Sequence, residues 1–456
     1  MTGPARWPET DLAGWGRFPR GRSRLARPEQ MEALQGIIAR SPSALARGMG
    51  RSYGDAAWSP DGVTILLERL DRFLDFDPAT GVLHCEAGVT IADLLEYFLP
   101  RGFLPPVTPG TKFVTLGGAL ACDVHGKSHH RDGSFSRHVL EFRLLTASGE
   151  ILTCSRTENA ELFWATHGGM GLTGIVTDLR LRLLPVESSY VVVDYDRAPD
   201  LDAALRLFHD SDDRYTHSVA WIDCLKQGRG LGRSVLMRGN WARRSDLPPR
   251  SARDPLALPD QRRITVPFDL PAAVLNPLTV SLFNAQFYAR HRTAHGVVTS
   301  IEPFFYPLDR VRQWNRFYGR RGFLQYQFVV PHAGGREALI RILELLTEEG
   351  HASFLAVLKR FGEVEPEQLL SFPRPGYTLA VDLPRDHGRQ DELLRRMDEV
   401  VVTAGGRVYL AKDARLGPDA FRTMYPEWAR WLAIKQAVDP EGRFESALSR
   451  RLGMQT

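Results

Sequence analysis

The first 190 or so residues alternate short apolar runs with glycine. Runs such as VTILLERL, GVLHCEAGV and GIVTDLRLRLLPV are bounded by turn residues and predict strands. Apolar residues at helical spacing in PEQMEALQGIIARS and IADLLEYFLPRG predict two helices between them. This part of the chain is therefore expected to mix strands and helices.

Beyond Pro185 the apolar runs lengthen. SVAWIDCL, GFLQYQFVVP and YTLAVDLP predict strands, while REALIRILELLTEEG and DELLRRMDEVVVTAGG predict amphipathic helices that end at glycine. The change from short to longer apolar runs predicts an α+β fold with a domain boundary near residue 190.

One segment, 241–290, departs from both patterns. Residues 241–263 are rich in Pro and Arg and have no apolar period, and residues 264–288 are apolar but interrupted by prolines. We expect a mobile lid that could meet an anionic membrane surface or a polyprenyl chain. The alternative is a basic loop that precedes a buried apolar segment.

Composition narrows the class of protein. The 456 residues are 43% hydrophobic and 25% charged, as in soluble globular proteins of two or three domains. A net charge of +4 gives no case for nucleic-acid binding. The absence of a long apolar run and of a leader pattern predicts a cytoplasmic protein. Four cysteines without a C-x-x-C pair argue against a disulfide framework or structural zinc.

Three glycine-rich tracts carry the candidate chemistry. The first, from Ala46 to Asp55, reads ARGMGRSYGD, and its glycines allow backbone N–H groups to form an anion-binding nest beside arginine. Its spacing matches neither the dinucleotide fingerprint nor the P-loop. A structural tight turn is the alternative.

The second tract runs from Pro106 to Ser136. Long ordered loops of this kind usually bind a ligand, and Gly117 and Gly118 would let the backbone approach a diphosphate. The four histidines between 125 and 138 raise the alternative of a metal. No H-E-x-x-H spacing is present and two of them are adjacent, so we expect no metal site.

The third tract, THGGMGLTGIV, runs from Thr166 to Val176 and leads into a predicted strand. Three glycine tracts in one region are explained better by a single extended cofactor than by three unrelated turns.

Together with the late YLAKD, these tracts resemble the vanillyl-alcohol-oxidase (PCMH) type of FAD enzyme. Within that type, RGMGRSYGD, TPGTKFVTLGGALACDVHGKSHH and ELFWATHGGMGLTGIV resemble the flavin subunits of decaprenylphosphoryl-β-D-ribose 2′-epimerases. The resemblance implies an FAD-binding domain at 1–188, an antiparallel-sheet substrate domain at 189–405, and a segment 406–456 that returns to the first domain.

The same resemblance implies a set of cofactor residues and a non-covalent FAD. Covalent members of the wider family have histidine where this chain has Arg51. The cofactor residues implied are Arg47, Gly48, Met49, Gly50, Arg51, Ser52, Tyr53, Gly54, Asp55, Pro109, Gly110, Thr111, Gly117, Gly118, Ala121, Cys122, Asp123, His125, Gly126, Lys127, Gly174, Ile175 and Tyr409.

A substrate pocket is implied as well. Its residues are His125, Lys127, Trp221, Tyr306, Gln325, Gln327, Lys359, Thr378, Ala380 and Lys412. Strand geometry supports the two glutamines independently, because positions two apart on a strand share a face and amides suit sugar hydroxyls. A solvated edge strand is the alternative.

Two pocket positions depart from the family. The mycobacterial members have asparagine and cysteine where this chain has Thr378 and Ala380, and the cysteine is where covalent nitroaromatic inhibitors attach. We therefore expect no covalent capture of that kind, and the change leaves the substrate open.

Lys412 and Tyr53 are the expected catalytic residues. An ammonium beside the reacting hydroxyl orients the oxygen, and a desolvated amine acts as a base, with Tyr53 sharing the proton path. The alternative is a surface lysine beside Asp413.

The implied reaction is oxidation of the 2′-hydroxyl of a polyprenyl-phosphate pentose to a 2-keto intermediate, with a separate NAD(P)H-dependent reductase as partner. A soluble sugar or aminocyclitol oxidase is the alternative within the enzyme class. A nucleotide-binding protein and a histidine-centred metal hydrolase are the alternatives outside it.

Overall fold

A computed structural model of the chain describes residues 7–259, 263–271, 274–350, 353, 355–386 and 388–455. Of the predicted mobile segment, residues 260–262 and 272–273 lie outside the described residues. The last 14 residues of that segment form a helix that begins at Pro277, the first position where proline fits a helix.

The strands and helices alternate irregularly along the chain. The strands are β1 Glu9–Ala13, β2 Arg20–Ala26, β3 Ala44–Arg47, β4 Val63–Leu66, β5 Phe73–Asp77, β6 Val82–Glu86, β7 Phe103–Leu104, β8 Val139–Leu145, β9 Ile151–Ser155, β10 Ile175–Arg182, β11 Leu184–Pro185, β12 Tyr190–Ala198, β13 His217–Ile222, β14 Ser234–Trp241, β15 Ile264–Thr265, β16 Ala294–Ser300, β17 Val311–Arg312, β18 Phe323–Val330, β19 Ala356–Phe361, β20 Gly376–Pro384 and β21 Arg407–Val408. The α-helices are α1 Met31–Arg40, α2 Ile91–Phe98, α3 Leu116–Ala121, α4 His129–Asp132, α5 Ala160–Thr166, α6 Leu201–Ser211, α7 Pro277–Arg290, α8 Ile301–Phe305, α9 Gly335–Glu348, α10 Arg389–Thr403, α11 Pro418–Met424, α12 Trp428–Val438 and α13 Ala447–Leu452.

Two sheets are built from the first part of the chain. One is four-stranded in the order β1-β2-β4-β3, and the other is five-stranded and antiparallel in the order β5-β6-β10-β8-β9. Helix α2 starts at a capping box in which the Thr90 side chain accepts from Asp93 N–H and the Asp93 carboxylate accepts from Thr90 N–H. A cap of this kind contributes about 1 kcal/mol.

The remaining large sheet has eight strands in the order β16-β12-β14-β13-β19-β20-β18-β21. All its pairings are antiparallel, as predicted for the substrate domain. Helices α9 and α10 pack on one of its faces through leucines such as Leu339 and Leu393. The amphipathic pattern predicted both helices, and truncating one of these leucines to alanine is expected to cost about 2–5 kcal/mol.

The end of the chain contacts the first part. Ala44 N–H donates to the Arg443 carbonyl, Arg451 pairs with Asp55, and the Trp431 indole donates to the Ala165 carbonyl. The domain limits at residues 188 and 405 stay predictions.

Candidate active site

A cavity of about 680 Å³ lies between the glycine-rich loops and the eight-stranded sheet. We call its two sides the loop wall, formed by residues 46–53 and 108–127, and the sheet wall, formed by β12, β13, β14 and β18 to β20. The predicted site residues that line it are Arg47, Gly48, Met49, Gly50, Arg51, Ser52, Tyr53, Pro109, Gly110, Thr111, Gly117, Gly118, Ala121, Cys122, His125, Gly126, Lys127, Gly174, Trp221, Gln325, Gln327, Lys359, Thr378, Ala380, Tyr409 and Lys412.

The loop wall presents mostly backbone, because most of its glycines sit where a side chain has no room. A Cβ on Gly117 would lie 2.8 Å from Ala87 Cβ, and Gly50 has a positive φ of 61° that disfavours other residues. The Thr115 hydroxyl accepts from Gly118 N–H at 3.2 Å and fixes the start of α3. The close packing behind these glycines therefore leaves their backbone uncovered, and determines how closely a ligand can approach it.

Five predicted residues do not line the cavity. Gly54 packs on the Asp413 carbonyl, the Asp55 carboxylate pairs with Arg451, and Ile175 lies in an apolar core. The remaining two support the loop wall from behind.

These two supports are Asp123 and Tyr306. The buried Asp123 carboxylate accepts from Ser134 at 2.8 Å and from the Ser136 amide at 2.9 Å. The Tyr306 hydroxyl bonds Thr108 on the loop wall at 2.7 Å. They position the wall without reaching its surface.

The sheet wall follows from strand alternation. Residues two apart on one strand face the cavity, as Gln325 and Gln327 do on β18 and Thr378 and Ala380 do on β20. Strand β18 lies between β20 and β21, and Gln327 is only 4% exposed. The edge-strand alternative for the glutamines is therefore wrong.

The sheet wall is graded from apolar to polar. Its β12, β14 and β13 strands present Tyr195, Met237, Val219 and Trp221, whereas β19, β20 and β18 present mainly lysine, threonine and glutamine. Phe283 and Phe287 of α7, and His291 just after it, also line the apolar end. The centroid of the Phe287 ring lies 4.5 Å from that of the Trp221 ring.

Except for Trp221, the residues of the apolar end were not predicted. Strand alternation places Val219 and Trp221 on one face of β13. Which strands lie beside β13 depends on the order of strands in the sheet, and no local sequence pattern predicts that order.

Lys412 lies at the polar end, in the loop after β21. Tyr409 N–H donates to the Gln327 carbonyl at 2.8 Å, and Tyr53 N–H donates to the Ala411 carbonyl at 3.0 Å, so this loop joins both walls. The Lys412 ammonium lies 3.6 Å from the centroid of the Tyr53 ring. It faces the cavity, and the surface-lysine alternative is wrong.

Lys412 is poised between its two protonation states. Burial is the main cause that lowers the pKa of Lys412 to about 7; the Asp382 carboxylate opposes this shift, and the charge of Lys359 adds to it. Burial raises the pKa of the Tyr53 phenol well above its usual value. At neutral pH a proton is therefore exchanged more readily by Lys412 than by Tyr53.

Asp382 was not among the site residues predicted from the sequence. Its carboxylate accepts from the Gln325 amide at 2.6 Å and from the Tyr318 hydroxyl at 3.1 Å, beneath the polar end. Burial raises the pKa of Asp382 to about 7, against these two hydrogen bonds and the charge of Lys412. Its position two residues after Ala380 on β20 was the signal available.

His125 joins the two walls. Its Nε2 lies 2.9 Å from the Gln327 amide nitrogen, and that amide also donates to the Thr378 hydroxyl at 3.3 Å. Burial lowers the pKa of His125 well below its usual value, so the ring is neutral. A neutral ring accepts from Gln327 at Nε2 and carries its proton on Nδ1.

The loop wall fits the FAD predicted from the sequence. Among the buried polar atoms without a hydrogen-bond partner in the described residues, His125 Nδ1 and Arg51 Nε belong to residues that line the cavity. Buried polar atoms in native proteins are normally paired, so these two are available to a ligand in the cavity. A long cavity with a backbone wall at one side suits a diphosphate and an isoalloxazine ring.

The other three histidines between residues 125 and 138 bond the protein itself. His130 Nε2 lies 2.9 Å from the Tyr215 carbonyl, His138 Nε2 lies 2.9 Å from the Asp132 carbonyl, and Gly362 N–H donates to His129 Nδ1. Over the part of the chain that the structure describes, no three His, Cys, Asp or Glu residues are grouped as metal ligands.

Sequence models of known families match two parts of the chain. An FAD-binding domain matches residues 23–155, and D-arabinono-1,4-lactone oxidase matches residues 316–452. The first match covers two of the glycine tracts, and the second covers β18 and Lys412.

Three relatives are similar over most of the chain. Decaprenylphosphoryl-β-D-ribose oxidase of Mycolicibacterium smegmatis is 38% identical over 97% of this chain and 97% of its own length. An uncharacterised protein of Streptomyces coelicolor is 37% identical over 80% of this chain and 100% of its own length. L-gulono-1,4-lactone dehydrogenase of Mycobacterium tuberculosis is 23% identical over 94% of this chain and 96% of its own length.

Proposed function

This chain belongs to the family of FAD-dependent oxidoreductases that includes decaprenylphosphoryl-β-D-ribose oxidase, and we propose that it oxidises the 2′-hydroxyl of a polyprenyl-phosphate pentose to a ketone. The graded sheet wall carries this proposal. Its polar end offers amides and hydroxyls to a sugar, and its apolar end offers aromatic and aliphatic side chains to a prenyl chain.

The chemistry divides between the cofactor and the chain. When bound, FAD accepts the hydride that leaves the carbinol carbon. Lys412, as the neutral amine, takes the hydroxyl proton while the carbon–oxygen double bond forms, and Tyr53 packs against its ammonium afterwards. Gln325, Gln327 and His125 hold the remaining hydroxyls, so that one carbinol faces the loop wall.

Anaerobic reduction of the purified yellow protein tests the proposal. A polyprenyl-phosphate ribose is expected to bleach the visible flavin band, whereas free pentoses and L-gulonolactone are expected to leave it unchanged. Bleaching by a free sugar or an aminocyclitol, but by no lipid-linked sugar, would establish the soluble-sugar alternative instead.

The cofactor is proposed to be held non-covalently. Arg51 stands at the position of the covalent histidine, and its guanidinium stacks 4.0 Å from the centroid of the Trp15 ring. Acid precipitation is expected to release all the flavin into the supernatant. Flavin retained in the protein pellet would contradict this.

A separate NAD(P)H-dependent reductase is proposed to complete an epimerisation. The chain alone is expected to stop at the ketone, which borohydride traps as a mixture of epimers. Formation of the single inverted sugar by the chain alone would remove the need for a partner.

Peripheral contact with a membrane is proposed for α7. Its outer side exposes Leu278 at 79% and Leu282 at 71%, while Phe283 and Phe287 of the same helix line the cavity. No helix in the described ranges is long and apolar enough to cross a bilayer. A helix that lies on the membrane surface would bring the apolar end of the cavity to the lipid.

Sedimentation with vesicles tests this contact. We expect the protein to bind vesicles that contain anionic lipid. A Leu278→Glu/Leu282→Glu variant should bind them much less, while its flavin is still reduced by a soluble short-chain substrate. Equal binding of the variant would reject the contact.

A further inference from the structure

Lys127 and Lys359 are half-buried lysines that the proposed chemistry leaves unused. Both line the cavity, and neither forms an ion pair within the described residues. Lys412, by contrast, has the Asp382 carboxylate nearby. Charges withdrawn from bulk water are normally paired in proteins, so two lysines without an ion pair in one cavity call for an anionic partner.

The two lysines meet at the boundary between the polar and apolar ends of the sheet wall. On β19, Lys359 pairs with Thr378, while Val357 two residues earlier pairs with Trp221 of the apolar end. From the loop wall, the Lys127 carbonyl accepts from Ser218 N–H of β13. Each wall thus brings one ammonium to the same boundary.

Their surroundings are positive, and among the described residues no carboxylate acts on the pKa of either lysine. Burial lowers the pKa of Lys359 to about 8, and burial together with the charge of Lys359 lowers the pKa of Lys127 to about 7. The Lys127 ammonium donates to the Phe304 carbonyl and lies 4.3 Å from the Phe304 ring centroid, which leaves donors for another acceptor. A bound anion would restore both charged forms.

We propose that Lys127 and Lys359 form the subsite for the phosphate of an amphiphilic glycosyl phosphate, between the sugar at the polar end and the chain at the apolar end. The inference rests on the proposed function and names the group that separates lipid-linked from free sugars. Ammonium groups bind phosphate oxygens as compact point charges, and a neutral lactone or free sugar would leave them unpaired.

Binding to the yellow holoprotein tests the subsite without turnover. Farnesyl phosphate and farnesol share one chain and differ in the phosphate, and calorimetry gives a Kd for each. We expect the wild type to bind farnesyl phosphate at least about tenfold more tightly, as a charge-assisted hydrogen bond implies. Equal affinity for the two ligands would overturn the proposal.

The variants assign the preference to the two lysines. Lys359→Met and Lys127→Met are each expected to weaken farnesyl phosphate binding about tenfold and to leave farnesol binding unchanged, while Lys359→Arg keeps most of the preference. Lys226→Met, an exposed lysine outside the cavity, is the matched control and should change neither Kd. Equal loss for both ligands would mean a structural role and would overturn the assignment.

The subsite and the proposed reaction fail separately. Preference for farnesyl phosphate without flavin reduction by any polyprenyl-phosphate pentose would refute the proposed reaction and leave the subsite standing. Reduction by such a substrate without any preference for phosphate would refute the subsite alone.

Discussion

The two walls of the cavity differ in what they are made of. The loop wall offers backbone, and glycines such as Gly117 pack so closely on β6 and its neighbours that a single methyl group has no room. The sheet wall offers side chains on a rigid eight-stranded frame whose other face is covered by α9 and α10. Cofactor binding therefore depends on the path of the backbone in the loop wall, whereas substrate choice depends on sheet-wall side chains that can be exchanged without changing that path.

The largest effect is expected on the loop wall. Gly117→Ala would place a Cβ 2.8 Å from Ala87 Cβ and 3.2 Å from the Ala87 carbonyl oxygen, so the backbone must move. We expect loss of most bound FAD and a destabilisation of about 1–3 kcal/mol. The absorbance ratio of flavin to protein and the thermal midpoint measure both.

Gly417→Ala is the matched control outside the cavity. A Cβ there meets nothing within 4 Å and Gly417 does not line the cavity, so this variant should stay yellow and stable. If Gly117→Ala keeps as much FAD as Gly417→Ala, the contrast between the two walls is lost.

At the polar end of the cavity, removal of Lys412 should slow the chemistry and spare the fold. Lys412→Ala is expected to keep FAD and to reduce it about 10²- to 10⁴-fold more slowly, because the base is gone. Stopped-flow absorbance under anaerobic conditions measures the rate, with Lys226→Ala as control. Reduction at the wild-type rate would remove Lys412 from the mechanism.

The two walls also differed in how far the sequence predicted them. Glycine tracts are local, so nearly all the loop residues expected at the cofactor line the cavity; Gly54, Asp55, Asp123 and Ile175 do not. Alternation predicted that Gln325 and Gln327 share a face, but which strands lie beside β18 depends on long-range pairing. Met237 and Phe287 therefore had no signal, whereas Asp382 had one in its spacing from Ala380.

A smaller effect is expected from Asp382→Asn. The Asp382 carboxylate raises the pKa of Lys412, so its removal should lower that pKa below about 7. A base works when deprotonated, and the rise of the reduction rate with pH should therefore move to lower pH, by about one unit. Asparagine retains an acceptor for Gln325 or Tyr318, so the fold should persist.

The pH profile of flavin reduction at saturating substrate measures this shift. Gln390→Glu would be a poor comparison, because the Gln390 side chain accepts from Asp386 N–H in a different loop. Asp398→Asn is the matched control, because it removes a carboxylate that accepts from the Tyr326 hydroxyl outside the cavity. The Asp398→Asn profile should match the wild type, and an equal shift in both variants would show a general change in charge.

The smallest effect concerns stability on the sheet wall. The pKa of Lys359 is about 8 in the fold and 10.5 in its ordinary state, so between these values the unfolded chain binds more protons and stability rises with pH. Below pH 8 both states are charged and the full cost of burial is present. Lys359→Met removes this cost, so the variant is expected to be more stable than the wild type at pH 7 by about 1–3 kcal/mol, with the difference shrinking toward pH 10.

Urea midpoints of variant and wild type at several pH values measure this difference in stability, with Lys226→Met expected to follow the wild type. A constant difference across this range would mean that burial of the charged Lys359 ammonium does not destabilise the fold. In that case an anion bound at the sheet wall would have no such destabilisation to relieve.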